Sequence, residues 1–227
     1  MKTRVKKDIV FLIITFAVFL VSYFRVPLIF FQQDEILGFG SFIKEGWKVI
    51  YTGFADSQVR HFVPVTMSIS YGLYSLFGLK YWIYNLVALL FHLVNGLLIY
   101  LIAKRILSGY LSAIVAVLIF FSSNVAAQLI MWPVINLNSV SLTFSLFCWL
   151  MLIDKKILPK LKGRVRFLVL SLLLLLALFS VEYSAGLILF VPLVVFLTEK
   201  GSIYKKISLL SPFLITITSY LLFRFIP

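Results

Sequence analysis

The stretch YWIYNLVALLFHLVNGLLIYLIAKR, residues 81–105, decides the fold class. Residues 81–103 are almost entirely apolar, and Lys104 and Arg105 follow them directly. About 20 apolar residues in a helix cross the roughly 30 Å hydrocarbon core of a bilayer. The stretch therefore predicts a transmembrane helix that ends in basic residues.

Apolar segments of this kind recur along the chain. Of the 227 residues, 62% are hydrophobic and only 13% are charged, and too few polar side chains remain to cover an aqueous surface. This composition excludes a water-soluble globular domain and predicts an all-α polytopic membrane protein with one transmembrane domain over residues 1–227. We predict seven crossings, at about 9–31, 81–103, 109–129, 135–153, 166–181, 184–198 and 207–226.

The basic residues give the topology. With the N-terminus in the cytoplasm, the cytoplasmic side receives these Lys and Arg residues, 15 of the 21 in the chain: Lys2, Arg4, Lys6, Lys7, Lys104, Arg105, Lys155, Lys156, Lys160, Lys162, Arg164, Arg166, Lys200, Lys205 and Lys206. Because the charge is sorted by membrane side, the net charge of +13 does not indicate a nucleic-acid partner.

The longest connection is the first outer loop, residues 32–80. Within it, residues 62–79 are apolar but short, and an eighth crossing there would invert the charge distribution, so we predict that they lie in the interface. A second interfacial helix is predicted because five apolar residues recur at helical spacing, namely Ile36, Phe39, Ile43, Trp47 and Ile50.

Acidic and basic side chains in or facing this loop are the candidate site. Asp34 and Glu35 follow the first crossing, and Arg60 and His61 precede the second interfacial segment. Glu182 lies in the short outer turn between two later helices, where an ionisable group usually has a partner. A catalytic pocket at the outer leaflet would need a carboxylate as base and cationic groups that face an anionic leaving group, and this loop has both.

An ordered set of segments resembles protein O-mannosyltransferases and related bacterial family C glycosyltransferases. The segments are QDEILGFGSF at 33–42, RHFVPVT at 60–66, LFGL at 76–79, HLVN at 92–95 and SVEYS at 180–184. In the last segment Val181 replaces the lysine of the family motif, and the chain stops short of the family's usual length. We therefore interpret the chain as a fragment, a minimal enzyme or a partner-dependent subunit.

The resemblance implies an inverting transferase that moves a mannose-like sugar from a polyprenyl-phosphate lipid to a hydroxyl of an acceptor protein or glycan, with membrane lipids around it. The short loops and the resemblance to bacterial members together favour a multi-pass protein of a prokaryotic plasma membrane. Asp34 is the candidate base, and Glu35 orients the base, binds the acceptor or ligates a divalent metal ion. If the reaction uses a metal ion, Asp34 and Glu35 are its candidate ligands. Arg60, His61 and Glu182 are the candidate substrate-binding residues.

Other interpretations compete with these roles. The chain as a whole can instead be a lipid-linked sugar carrier or a non-catalytic scaffold subunit. Asp34 and Glu35 can be a solvated pair, Arg60 and His61 can contact lipid headgroups, and Glu182 can form a structural ion pair. Polar residues inside the predicted helices, Asn85, His92 and Asn95, are expected to form interhelical hydrogen bonds. Trp132 is expected to be an interface anchor, and Cys148 to be a small buried side chain.

Overall fold

The computed structural model describes residues 2–52, 62–107, 110–134, 138–153, 163–181, 184, 186 and 202–225, and its regular elements are helices. They are α1 (Lys2–Tyr23), α2 (Gln33–Glu45), α3 (Val49–Thr52), α4 (Pro64–Phe77), α5 (Tyr81–Ile106), α6 (Tyr110–Ser122), α7 (Asn124–Ala127), α8 (Asn138–Ile153), α9 (Gly163–Ser180) and α10 (Ile203–Phe225). Short 3₁₀ helices at Val26–Leu28 and Gly46–Lys48 connect α1 to α2 and α2 to α3. The all-α class is confirmed.

Helix α5 is central to the bundle. It packs against α6 on one side and α8 on the other, α1 packs against α6, and α9 lies between α8 and α10. Helix α4 contacts α3, α5 and α9, which brings the segment between α1 and α5 against the bundle.

Within the described part of the chain, one helix is long and apolar enough to cross a bilayer, Tyr81–Ile106. Its 26 residues span about 39 Å. Helices α6 and α8, with 13 and 16 residues, span only about 20 and 24 Å. Seven crossings therefore stay a prediction.

Several predicted helix ends are wrong. Helix α1 ends at Tyr23 and not near residue 31, because the chain turns into a 3₁₀ helix that contains Pro27, which has no backbone N–H to continue an α-helix. Helix α6 ends at Ser122 and not near residue 129, in a Ser-Ser-Asn sequence whose side chains compete with helical hydrogen bonds. The predicted helix at 184–198 lies outside the described residues except for positions 184 and 186.

The predicted interfacial helix around residues 36–50 is not continuous. Gly46 has a φ of 60°, in the left-handed region that glycine adopts without strain, and it ends α2. The predicted apolar stripe is also divided between two faces. Phe39 is buried, whereas Ile36, Ile43 and Trp47 are exposed by 55%, 70% and 59%. The second segment that was predicted to be interfacial, residues 62–79, forms α4, whose 14 residues span about 21 Å, less than a hydrocarbon core.

Buried hydrophobic side chains form an aromatic cluster and a leucine cluster. The aromatic cluster lies beneath α2 and consists of Phe39, Phe42, Val49, Val63, Met67, Tyr84 and Val134. The leucine cluster lies between α8, α9 and α10 and consists of Cys148, Leu170, Leu174, Leu178, Phe213 and Tyr220. Cys148 is buried, as predicted.

Polar side chains connect the helices in the centre of the bundle. The Tyr23 hydroxyl donates to the Phe121 carbonyl (2.8 Å) and lies 3.0 Å from Nε2 of the buried His92. Because that hydroxyl has a single hydrogen, it accepts from His92. The Asn95 amide donates to the Ser139 carbonyl (2.9 Å) on α8. The predicted interhelical hydrogen bonds of His92 and Asn95 are confirmed, while Asn85 donates to the Ile29 carbonyl (2.8 Å), before α2.

Candidate functional site

A cavity of about 150 Å³ lies where α1 ends and α2 begins. One wall comes from the end of α1 and the segment after it, and includes Ser22, Tyr23 and Gln32. Asn85 of α5 and Glu35 in the first turn of α2 complete the polar lining. Hydroxyl, amide and carboxylate groups therefore converge on one small space.

The opposite wall comes from the connection between α7 and α8. Met131, Trp132 and Pro133 line the cavity in succession, and Ala127 and Ile130 lie just before them. The cavity thus depends on two stretches of chain about 100 residues apart.

Glu35 joins these two walls. Its side chain is 2% exposed, and each carboxylate oxygen accepts a backbone hydrogen bond. The N–H of Gln32 donates to Oε2 (2.9 Å), which caps the start of α2, and the N–H of Val134 donates to Oε1 (3.1 Å). Since Val134 is itself fully buried in the aromatic cluster, both ends of this contact are enclosed.

The surroundings change the acidity of Glu35. Burial disfavours the charged form and raises the pKa of this carboxyl above its usual value, and the negative charge of Asp34 acts in the same direction. The hydrogen bonds from Gln32 and Val134 favour the charged form and partly oppose the shift. A buried carboxyl with a raised pKa is a common feature of functional sites.

Trp132 has an unusual backbone. Its φ is 74°, the only positive φ of a non-glycine residue in the described ranges. For a bulky residue this conformation costs about 1–3 kcal/mol and persists only where surrounding contacts hold it. Here the contacts follow immediately, because Pro133 and Val134 are both buried.

Asp34, the predicted base, does not line the cavity, although its neighbour Glu35 does. The Asp34 side chain is half-buried and keeps part of its surface open. As acidic residues in the first turn of α2, both carboxylates interact favourably with the helix dipole. The structure therefore gives the two neighbours different surroundings: Glu35 is enclosed and Asp34 is accessible.

The predicted substrate-binding residues Arg60, His61 and Glu182 lie outside the described residues, so their distances to Asp34 stay predictions. Within the described ranges, no group of three or more His, Cys, Asp or Glu residues is placed to hold a metal ion. The suggested metal ligands Asp34 and Glu35 thus have no third such partner in that part of the chain.

No protein-family model matches the chain, and neither curated proteins nor solved structures give a significant match. The resemblance to family C glycosyltransferases therefore rests on the sequence segments quoted above.

Sequence reasoning missed most of the cavity wall. Ser22 and Tyr23 lie within the predicted first crossing, Gln32 opens the predicted outer loop without an assigned role, and Trp132 is predicted only as an interface anchor. The Trp-Pro pair at 132–133 marks a turn in the sequence. Nothing in the local sequence signals that this turn faces Glu35.

Proposed function

We propose that this chain is a membrane-embedded glycosyltransferase of the family C type. It transfers a sugar from a polyprenyl-phosphate lipid to an acceptor hydroxyl at the outer membrane face. The observation that carries the proposal is the Asp34–Glu35 pair, with one enclosed and one accessible carboxylate, beside a cavity at the end of α1 whose lining includes the polar side chains of Ser22, Gln32 and Asn85.

The distribution of side chains supports a membrane location. Large apolar residues point outward along the helices, for example Val21 (76% exposed), Leu111 (71%) and Leu214 (61%). Polar residues lie inside, as shown by the fully buried His92 and Asn95. A soluble protein rarely exposes so many large apolar side chains, whereas helices in lipid place polar groups at their contacts.

The surface of α2 supports an interfacial position for the pair. Ile36, Leu37 and Ile43 are exposed on α2, and the exposed Lys44 lies beside them. Exposed apolar side chains with neighbouring lysines are typical of helices that lie at the membrane surface. The start of α2, which carries Asp34 and Glu35, would then be held near lipid headgroups, where a polyprenyl-phosphate sugar presents its anomeric carbon.

In the proposed reaction, Asp34 accepts the proton of the acceptor hydroxyl as that oxygen attacks the anomeric carbon. The bond from the anomeric carbon to the phosphate oxygen breaks, and the phosphate leaves with its electron pair. One displacement inverts the configuration. Asp34 suits the base better than Glu35, because both Glu35 oxygens already accept backbone hydrogen bonds. Arg60 and His61 are proposed to stabilise the departing phosphate.

The test is Asp34→Asn in the full chain. Membranes containing the chain are incubated with radiolabelled polyprenyl-phosphate hexoses, and label leaving the lipid phase is measured. Loss of a general base lowers the rate by about 10²–10⁴-fold. A photoreactive donor should still label the variant as well as the unchanged chain, since the base is not needed for donor binding.

The matched control is Glu45→Gln, which alters an acid at the other end of α2, where Glu45 accepts from the Thr52 hydroxyl. Transfer should persist in this variant. Full transfer by Asp34→Asn would reject the base assignment. Donor labelling without transfer by the unchanged chain would support a carrier, and neither labelling nor transfer would support a scaffold subunit.

A further inference from the structure

The two walls of the cavity are tied together at one side chain. We propose that Glu35 is a positioning residue that holds the turn at 131–134 in place, so that Trp132 stays against the cavity in its left-handed conformation. This role concerns the shape of the cavity and holds whichever reaction takes place there.

The two hydrogen bonds that Glu35 accepts come from opposite sides of the cavity. Oε2 of Glu35 accepts from Gln32, on the wall formed by the end of α1, and Oε1 accepts from Val134, next to the opposite wall. The two donors are 102 residues apart in sequence (134 − 32). One buried carboxylate therefore bridges the segment before α2 and the segment after α7.

Glutamate and glutamine differ in the number of side-chain atoms that can accept a hydrogen bond. A carboxylate has acceptor lone pairs on both oxygens, whereas a glutamine amide has one accepting oxygen and one NH₂ group that only donates. Glutamine at this position caps a helix about as well as glutamate does. Glutamine can therefore cap α2, but only a carboxyl group offers one accepting oxygen to Gln32 and a second to Val134, as Glu35 does.

The turn that Glu35 contacts contains a strained backbone. Trp132 has a φ of 74° and Val134 is fully buried, so the residue with the strained backbone lies two positions before the N–H that Glu35 accepts. A strained conformation relaxes when its anchors are removed. Without the Glu35 contact, the buried N–H of Val134 has no acceptor, which costs free energy and favours a rearrangement of the turn.

The experiment uses Trp132 as its own reporter in the purified full chain. Phenylalanine replaces Trp47, Trp82 and Trp149, and acrylamide quenching and the emission maximum of Trp132 are measured with and without Glu35→Gln. We expect stronger quenching and a shifted emission maximum in Glu35→Gln. Glu45→Gln, on the same helix, should leave both unchanged.

A second reporter separates local release from general loosening. Trp149 packs against the leucine cluster, away from the cavity, and is kept alone when Trp47, Trp82 and Trp132 are replaced by phenylalanine. A change at Trp132 with none at Trp149 supports the positioning role. No change at Trp132, or equal changes at both reporters, overturns it. If Glu35→Gln does not fold, Glu35→Asp, which keeps the charge but shortens the reach, is measured with the same two reporters and the same outcomes.

Discussion

The aromatic cluster beneath α2 and the leucine cluster between α8, α9 and α10 are both tightly packed, but they differ in what borders them. Next to the aromatic cluster lie a buried carboxylate, a strained tryptophan and a cavity. The leucine cluster joins α8, α9 and α10 through aliphatic and aromatic side chains and the buried Cys148. A buried carboxylate, a strained backbone and a cavity thus occur together beside the aromatic cluster, where a site is expected, whereas the leucine cluster holds α8, α9 and α10 together.

The largest effect on stability is expected in the leucine cluster. Leu174→Ala removes a side chain that is 1% exposed and leaves a cavity in α9, which should lower the free energy of unfolding by about 2–5 kcal/mol. Leu172→Ala, on the same helix but 56% exposed, should change it by less than about 0.5 kcal/mol. Thermal unfolding of both purified variants checks this. Equal losses would show that the leucine cluster is not a packed core.

A smaller loss is expected where α5 meets α6. A Cβ on Gly96 would lie 2.2 Å from Cζ of Phe121, whose ring is enclosed by the rings of Phe19, Tyr23 and His92. Gly96→Ala should therefore destabilise the chain by about 1–3 kcal/mol. Gly72→Ala in α4, where a Cβ meets nothing within 4 Å, should be neutral or stabilising by up to about 1 kcal/mol. Denaturant titrations of the two variants compare them, and a stable Gly96→Ala variant would contradict this helix contact.

A change of about 1 kcal/mol is expected at Trp132. Because its φ is 74°, Trp132→Gly relieves backbone strain that Trp132→Ala keeps, so the glycine variant should be the more stable by about 1 kcal/mol. At Trp149, inside α8, the opposite order is expected, because alanine stabilises a helix by about 0.8–1 kcal/mol more than glycine does. Unfolding curves of all four variants measure the order. The same preference at both sites would mean that Trp132 is not strained.

The last expected effect is a dependence of stability on pH. Because burial raises the pKa of Glu35, the folded chain holds this proton more tightly than the unfolded chain. In the window above the usual value of 4.5, the free energy of unfolding should therefore fall as pH rises, by at most about 1.4 kcal/mol per pH unit. Unfolding curves between pH 4 and about 7 should show this slope. It should disappear in Glu35→Gln and persist in Glu45→Gln; an unchanged slope in Glu35→Gln would assign the titration to another group.

Much of the fold follows from local sequence. The apolar run at 81–103 became α5, and the segment set apart at 62–79 became α4, because helix formation depends on hydrogen bonds between residues four positions apart. The ends were harder to predict. Apolar composition continues past Tyr23 and past Ser122, but Pro27 and the Ser-Ser-Asn sequence at 122–124 end the helices.

The candidate site was predictable only in part. An acidic pair after the first helix is visible in the sequence, and α2 does begin there. Which of the two acids is enclosed could not be predicted, because helical spacing does not say which face the bundle covers. The burial of Phe39 with the exposure of Ile43 shows the same limit, since both belong to one predicted stripe.

The sequence by itself determined that this chain is helical, where its apolar segments lie and that two carboxylates stand at the start of α2. Only the tertiary structure decided that Glu35 meets the N–H of Val134, 99 residues away, and that Trp132 closes a cavity beside it. The physical reason is one of range. Helices form from neighbouring residues, whereas a contact across 99 residues exists only after several helices have packed in one arrangement.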